Sequence, residues 1–571
     1  MKLFEKLLEE ILAESLKNSY PHFKWRDNLY IQKTNSEEFG DYQTNFAMVN
    51  ARDFKMAPRA LAEDIVRRTG SNEVFKKIEA AGPGFINIFI NDDYIGKTVG
   101  KIGEEAYDFS FLDRKGDIII DYSSPNIAKR MHIGHLRSTV IGDSLKRIFR
   151  FLGYSVIGDN HVGDWGTQFG KLIVGYRKWL DKEAYAENPV EELERIYVKF
   201  EKLSENDLSL IESARKELKD LQDGKEESKR LWQEFVDVSL LEYEKIYKRI
   251  GVEFDTFYGE SFYNDMMPSV ILELKDKGLA VRSEEALVVF FDKNENIPVC
   301  IVQKKDGAYL YATSDLACLR YRHENYDLNR VIYVTDDRQI THFRQVFRIA
   351  DMLGWNIKKE HVWFGVMRFP EGIFSSRKGN VIRLEDLLNE AKKRILAIIA
   401  EKNPDLPPEE METASEVIGI ASVKYFDLSQ NRTSTLIFDW DKTLNFDGNT
   451  APYLLYTYAR IRSILRKASE MNKSVDSSAV ILFTEKIERT LAVKLTRFPN
   501  VVLKSAENYT PNFIADYLFE LAQNFNTFYN SLQVLKVREE IMKSRLLLAE
   551  RTSRIIKSGL DLLGIKTLER M

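Results

Sequence analysis

The sequence predicts an α/β protein: a doubly wound parallel sheet at the centre, a small α+β domain before it and an all-α domain after it. Three observations predict this. In "GDIIIDYSS" (Gly116 to Ser124) three consecutive isoleucines make a strand-length run that is apolar on both faces, as in a buried parallel sheet. From Met131 the residues Leu136, Val140, Leu145, Ile148, Phe149 and Leu152 recur near helical spacing, Gly153 is a C-terminal stop, and "YSVIGDN" reads as a second strand. Strand, helix and strand within about 40 residues make a βαβ unit. Lastly, beyond about residue 385 the pattern is helical to the end.

Residues 1–110 open with "MKLFEKLLEEILAESL", where Leu3, Leu7, Leu8, Ile11 and Leu12 interleave with Glu and Lys as in an amphipathic helix, unlike a signal peptide. "GFINIFI" (Gly84 to Ile90) reads as a strand after the turn Gly82-Pro83-Gly84. Residues 111–385 carry the parallel sheet. It is interrupted at about 176–250 by Lys- and Glu-rich runs, "PVEELERIYVKFEKL" and "KRLWQEFVDVSLLEYEKIYKRI", read as a helical insertion. "ALVVFF" (Ala286 to Phe291) and "RVIYVT" (Arg330 to Thr335), with the helical "DLACLRYRHENY" between them, mark where the α/β domain resumes. Residues 386–450 form a helical connection and 451–571 a helical domain.

Charge and cysteine content narrow the function. With 83 Lys plus Arg against 87 Asp plus Glu, the net charge of −4 does not describe a globally basic nucleic-acid binder, so any polyanion site is local. The C-terminal domain is the basic part: from Ala451 to Met571, 19 Lys plus Arg stand against 12 Asp plus Glu. Its Tyr509, Phe513, Tyr517, Phe519, Phe525, Phe528 and Tyr529 are spaced mostly as a helix core, and core packing is read ahead of base stacking. No apolar run reaches membrane-spanning length, so no membrane anchor is expected. Cys300 and Cys318 form no CxxC pair; no bound zinc or disulfide framework is expected, and a reducing, cytoplasmic setting is.

The chemistry concentrates in "SSPNIAKRMHIGHLRS" (Ser123 to Ser138). A chain with 7 His and 29 Gly contains His-x-Gly-His by chance with a probability of roughly 0.4%. His132 and His135 fall at a helix N-terminus after a buried strand, where free N–H groups and positive potential suit phosphate. Gly134 leaves room for a flat base or ribose against the backbone. No GxGxxG follows the strand, and "GTQFGKL" (Gly166 to Leu172) is not a P-loop.

Together with "NHVGDWGTQFG" (Asn160 to Gly170), "YATSDLA" (Tyr311 to Ala317), "SSRKGNVI" (Ser375 to Ile382) and "NFDGNTAPYLLYTYARIRS" (Asn445 to Ser463), this stretch resembles class I aminoacyl-tRNA synthetases, specifically arginyl-tRNA synthetases. The resemblance covers nearly the whole chain, from "EEFGDYQTNFAM" to the closing "ERM". It implies a Rossmann-type catalytic domain between an N-terminal domain that contacts the tRNA D-loop and a helical anticodon-binding domain. It also implies activation of L-arginine with ATP and Mg²⁺ and transfer to the terminal ribose of tRNA(Arg), by a monomer with no DNA partner. Lys129, His132 and His135 would act on the phosphates, and His132, Gly134, His135, His161, Gly163, Asp164, Trp165, Ser375 and Ser376 would hold ATP. Asp121, Tyr311 and Asp315 would grip the guanidinium, as five fixed donors and a permanent charge require carboxylates and neutral acceptors. Ser124, Asn126 and Gln339 complete the arginine site, and Phe85 and Asn87 match positions that contact tRNA.

One motif departs from the class pattern. Where many class I enzymes read KMSKSKGNV, this chain has "IFSSRKGNV", with Ile373 and Ser376 at the two lysine positions; Arg377 and Lys378 remain as catalytic candidates. The alternatives are another class I synthetase or nucleotidyltransferase, and a non-catalytic tRNA-binding paralogue.

Overall fold

The computed structural model describes residues 1–20, 30–34, 36–370 and 382–571. Four parallel strands run in the order Lys358–His361, Leu328–Tyr333, Asp117–Asp121, Ser155–Asp159. Ile118, Ile119 and Ile120 pair with Val156, Ile157 and Gly158 on one side and with Arg330, Val331 and Ile332 on the other. Ile118 and Ile120 enter one hydrophobic core and Ile119 another. A strand with partners on both edges and a core on both faces needs no polar alternation, which explains the isoleucine run. The chain leaves this strand to one side through the helix Ile133–Phe151 and reaches its other neighbour only some 170 residues later, so the strand order reverses here. Loops at the carboxyl ends of the strands diverge at such a point and leave a crevice.

The helix Ile133–Phe151 buries Leu136, Val140, Leu145, Ile148 and Phe149, and Gly153 follows it at φ +86°. Between Thr167 and Ile250 come further helices, the last being Glu226–Ile250. This helix lies against the loop that joins Asp117–Asp121 to the helix Ile133–Phe151. Ser239 Oγ accepts from Ala128 N at 3.0 Å, and the Tyr243 hydroxyl shares its proton between the carbonyls of Asn126 (2.6 Å) and Lys129 (2.8 Å).

The expectation for "ALVVFF" is corrected. Ala286–Val289 belongs to a separate three-stranded antiparallel sheet with Ala280–Ser283 and Cys300–Gln303, not to the parallel sheet. Glu284 and Glu285, both at positive φ, turn the chain straight back on itself, and a tight hairpin gives antiparallel pairing. The parallel sheet resumes with Tyr311–Asn325 and Leu328–Tyr333.

The N-terminal part is a four-stranded antiparallel sheet, in the order Ile31–Lys33, Tyr42–Thr44, Phe85–Ile90, Phe75–Ala81. Against it packs the helix Phe4–Ser19, with Leu8, Leu12 and Leu16 buried. At the other end of the chain, Tyr517, Phe525 and Phe528 are buried among helices while Phe513 and Tyr529 stay exposed. Arg489 ties the two ends together, reaching Asp92 at 2.6 Å and Asp41 at 2.9 and 3.0 Å. The end of the helix Glu539–Leu562 docks on Ile133–Phe151: Ser144 Oγ donates to Leu562 O at 2.9 Å, and buried Lys424 donates to Ile250 O and Gly564 O. No helix of the described residues is long and apolar enough to cross a membrane.

Tyr243→Phe leaves two carbonyls of the connecting loop without their donor. It is expected to lower stability by about 1–3 kcal/mol in urea unfolding at unchanged m-value. A change below about 0.5 kcal/mol would show that the helix Glu226–Ile250 does not hold this loop.

Candidate active site

The crevice is built first by the loop after Asp117–Asp121. Ser123, Ser124 and Ala128 adopt φ of +75°, +48° and +60°, a left-handed conformation that costs a non-glycine residue of order 1 kcal/mol or more. The surroundings hold it. Ser123 N donates to Ser138 Oγ (2.8 Å) and Ser124 N to Asn160 Oδ1 (3.0 Å), alongside the bonds from Ser239 and Tyr243.

At the loop's end His132 caps the helix. Its Nδ1 accepts from Gly134 N at 3.0 Å, while His135 Nδ1 accepts from His132 N at 3.1 Å, a reciprocal capping box made of two imidazoles. A Cβ on residue 134 would lie 2.7 Å from the His132 ring, so Gly134 is required by the histidine itself as well as by an open floor. The rings lie 3.9 Å apart, centre to centre. Burial, then the neighbouring His132 and Lys129, lowers the His135 pKa to about 3; burial and Lys129 also lower that of His132. Both rings are therefore neutral at pH 7, and with Nδ1 accepting, each carries its proton on Nε2. The site thus presents two neutral donors beside a helix N-terminus, an arrangement suited to phosphate oxygens.

The loop after Ser155–Asp159 closes on the first one. Ile127 N donates to Gly163 O at 3.1 Å and Gly163 N to Pro125 O at 3.0 Å. A Cβ on residue 163 would come within 2.2 Å of Asn126 Oδ1, so glycine is what lets the two loops meet. Asp164 is buried and accepts from Ser261 N (2.7 Å) and Ser261 Oγ (2.6 Å), while Trp232 Nε1 donates to Asp164 O at 2.7 Å and its ring stands edge-on to Trp165. Asp164 therefore shapes the loop, and its carboxylate is already engaged. Burial lowers the pKa of His161, while Cys318, Asp121 and Asp315 around it act in the opposite direction and raise it to about 10.

A second group of polar residues is acidic. Asp315, on the helix Tyr311–Asn325, is hydrogen-bonded to His342 Nε2 at 2.5 Å. Glu260 lies in the field of Asp315, Asp164 and His161, and burial raises its pKa to about 7, with Asp315 and Asp164 adding to the rise and His161 opposing it. Tyr311 stands at the rim, 69% exposed, and Gln339 is exposed on the turn Asp337–Gln339. Asp121 does not stand free: Arg322 Nη2 bridges its Oδ2 (2.7 Å) and Asp159 Oδ2 (2.6 Å), and Ser124 Oγ donates to its Oδ1 at 3.3 Å. Asp121, His161 and Cys318 place potential metal-ligand atoms within 4.8 Å of one another. With the Arg322 guanidinium already on that carboxylate, these residues do not suit a resident cation.

The sequence reading missed Glu260, Arg322 and His342. Arg322 is buried, and its role follows only from the packing of Tyr311–Asn325 on the sheet. "YGES" around Glu260 carried no rare residue pattern that singled it out. Lys129 extends from the loop with Nζ 4.8 Å from the centre of the Tyr197 ring. Ser375, Ser376, Arg377 and Lys378 lie outside the described residues. The segment after them returns to the site, where Ile133 N donates to Ile382 O at 3.1 Å and Leu384 N to Met131 O at 3.0 Å. Phe85 and Asn87 belong to the N-terminal sheet and not to the crevice. Phe85 is partly exposed, whereas Asn87 is 3% exposed between its neighbours, so its side chain is not presented to a partner.

The comparisons with known proteins agree with this geometry along the whole chain. Residues 104–440 match the family model of the class I tRNA synthetase (R) catalytic domain, 6–90 that of the arginyl tRNA synthetase N-terminal domain, and 454–571 that of the DALR anticodon binding domain. The chain is 56% identical over 571 residues to the arginine–tRNA ligase of Fusobacterium nucleatum subsp. nucleatum, covering all of both proteins. It is 42% identical over 555 residues, 95% of each, to that of Escherichia coli O6:K15:H31. It superposes on the arginyl-tRNA synthetase of Plasmodium falciparum with a TM-score of 0.83 at 29% identity over all of both chains. The Thermus thermophilus enzyme, at 24% identity and the same TM-score, shares the fold. A reversed parallel sheet, a histidine-capped helix at its switch point and full-length identity of this order have one reading: the chain belongs to the class I arginyl-tRNA synthetases.

Proposed function

We propose that the chain is an arginine–tRNA ligase that forms arginyl-adenylate and pyrophosphate from L-arginine and ATP, then moves the arginyl group to the 3'-terminal ribose of tRNA(Arg). The observation that carries this reading is the pair of neutral histidines capping one helix beside an acidic pocket. The arginine carboxylate attacks the α-phosphorus of ATP, and the bond to the pyrophosphate oxygen breaks. Negative charge builds on the non-bridging and leaving oxygens. His132 and His135 Nε2–H groups and the helix N-terminus meet that charge without losing a proton, so the protein contributes positioning and electrostatics. Mg²⁺ arrives with ATP as part of the substrate. Gly134 leaves the adenosine floor open, and the loop His161–Trp165 walls the pocket, with Gly163 and Asp164 fixing its shape. Ser375, Ser376, Arg377 and Lys378 remain candidates for the phosphates by resemblance alone.

The guanidinium goes to the acidic side. Asp315, Glu260 and Tyr311 supply acceptors for its fork, Asp121 backs the pocket through Ser124, and Asn126 and Gln339 face the amino-acid end. The tRNA lies across both terminal domains. Phe85 contributes at the N-terminal sheet. In the C-terminal domain a groove of about 1150 Å³ is lined by Tyr456, Arg460, Lys467, Tyr529 and Met571, and Tyr456 and Tyr529 are 44% and 38% exposed. The Arg460 guanidinium lies 4.7 Å from the Tyr456 ring and 5.6 Å from that of Tyr529, a platform on which unpaired bases can stack. The proposed enzyme is a monomer working in the cytoplasm, where tRNA is charged.

ATP–pyrophosphate exchange with purified tRNA tests this reading. Exchange is expected with arginine, with lysine at least about 100-fold weaker, and without tRNA it should nearly vanish, because docking completes the site. Equal exchange with lysine, or none with arginine, contradicts the assignment.

Glu260 makes arginine binding depend on pH. Its carboxyl ionises at about 7 in the folded protein, and a cationic guanidinium requires the ionised form. The KM for arginine should fall as pH rises from 6 through 7 and level off by about 8. Glu260→Gln should raise KM by about 10-fold or more and flatten the profile. A wild-type KM constant from pH 6 to 8 removes Glu260 from the pocket.

A further inference from the structure

Lys129 forms no ion pair among the described residues, yet it has a partner on the helical insertion. The helix Pro189–Ser204 runs over the loop and grips its neighbour, Arg130, through Glu191 (2.8 Å) and Glu194 (2.7 Å). One turn on, Tyr197 turns its ring to the Lys129 ammonium at 4.8 Å. The ring is itself fixed. The Glu201 carboxylate bears on its hydroxyl and receives Lys171 Nζ at 2.6 Å, and that ammonium stands 6.0 Å from the ring centre. Tyr197 also lies in the field of Tyr311, the residue at the rim of the crevice.

A lysine meant for a leaving pyrophosphate poses a conflict. Left alone, a four-carbon stem carries its charge into solvent; paired with a carboxylate, the charge is neutralised and the N–H donors are spent. An aromatic face resolves both, because it attracts the cation through its quadrupole and leaves the N–H groups available to phosphate oxygens. The geometry points to Tyr197 as a positioning residue for adenylate formation: its ring holds the Lys129 ammonium beside His132 and His135, ready for the pyrophosphate, while Glu201 and Lys171 hold the ring. This rests on the reading of Lys129 as the cation that replaces the lysines absent at Ile373 and Ser376. It gives the insertion a part in the chemistry as well as in the packing.

The test is a double-mutant cycle on the full chain, read by arginine- and tRNA-dependent ATP–pyrophosphate exchange. Lys129→Ala should lower kcat by about 100-fold, the scale of one lost preorganised donor. Tyr197→Leu should lower it by about 10-fold, with KM for arginine within twofold, and Tyr197→Trp, which keeps an aromatic face, should retain at least half the rate. In the Lys129→Ala background, Tyr197→Leu should cost less than twofold. A 10-fold loss from Tyr197→Leu in both backgrounds assigns Tyr197 a structural role and overturns the proposal. So does a 10-fold loss in Tyr197→Trp, which decides the matter if the leucine variant does not fold. Lys129→Ala with more than half the wild-type rate overturns the reading of Lys129 first, and the proposal with it.

Discussion

Everything at the site depends on seven residues of backbone, Ser123 to Lys129, being held in one conformation. Three of them take left-handed dihedrals that a free peptide would abandon, so the conformation exists only because neighbours over-determine it. Those neighbours come from far along the sequence: Ser138 on the helix that follows, Asn160 on the next loop, Ser239 and Tyr243 on the insertion. The consequence is functional. The loop sets where Asn126 meets Gly163, where the Lys129 side chain departs, and at what angle His132 turns back to cap the helix.

The histidines show how burial is turned to use. A charged imidazole would bind phosphate more strongly in the ground state, but it would have to be desolvated as a cation next to Lys129. Burial and like charge drive both rings neutral instead, and the capping box fixes their tautomer. The result is a pair of preorganised N–H donors that need no proton transfer. The opposite environment prevails across the crevice, where Glu260 and Asp315 share an acidic field around His161. Under the proposed function, each half of the substrate would meet the complementary half of the pocket.

Much of this is legible in the sequence, for identifiable reasons. The isoleucine run, the spacing of Leu136 to Phe149 and the His-x-Gly-His pattern are local, and local patterns survive without coordinates. Asp121 shows the limit: its residue type suits a guanidinium, yet in the fold it is held by one inside the chain, Arg322, about 200 residues away. Asn87 is similar, a polar residue whose burial between strands no spacing rule reveals. "ALVVFF" misleads because a short apolar run looks alike in a parallel sheet and in a hairpin. Tyr197 and Glu260 are common residue types whose meaning comes only from what lies beside them.

The central claim is that the two capping histidines mark the reacting phosphate. A crystal structure with a non-hydrolysable arginyl-adenylate analogue tests it most directly. The account predicts phosphate oxygens about 2.7–3.2 Å from Nε2 of His132 and of His135, with the guanidinium between Asp315 and Glu260. A phosphate bound away from both rings, or a guanidinium on the histidine side of the crevice, would contradict it.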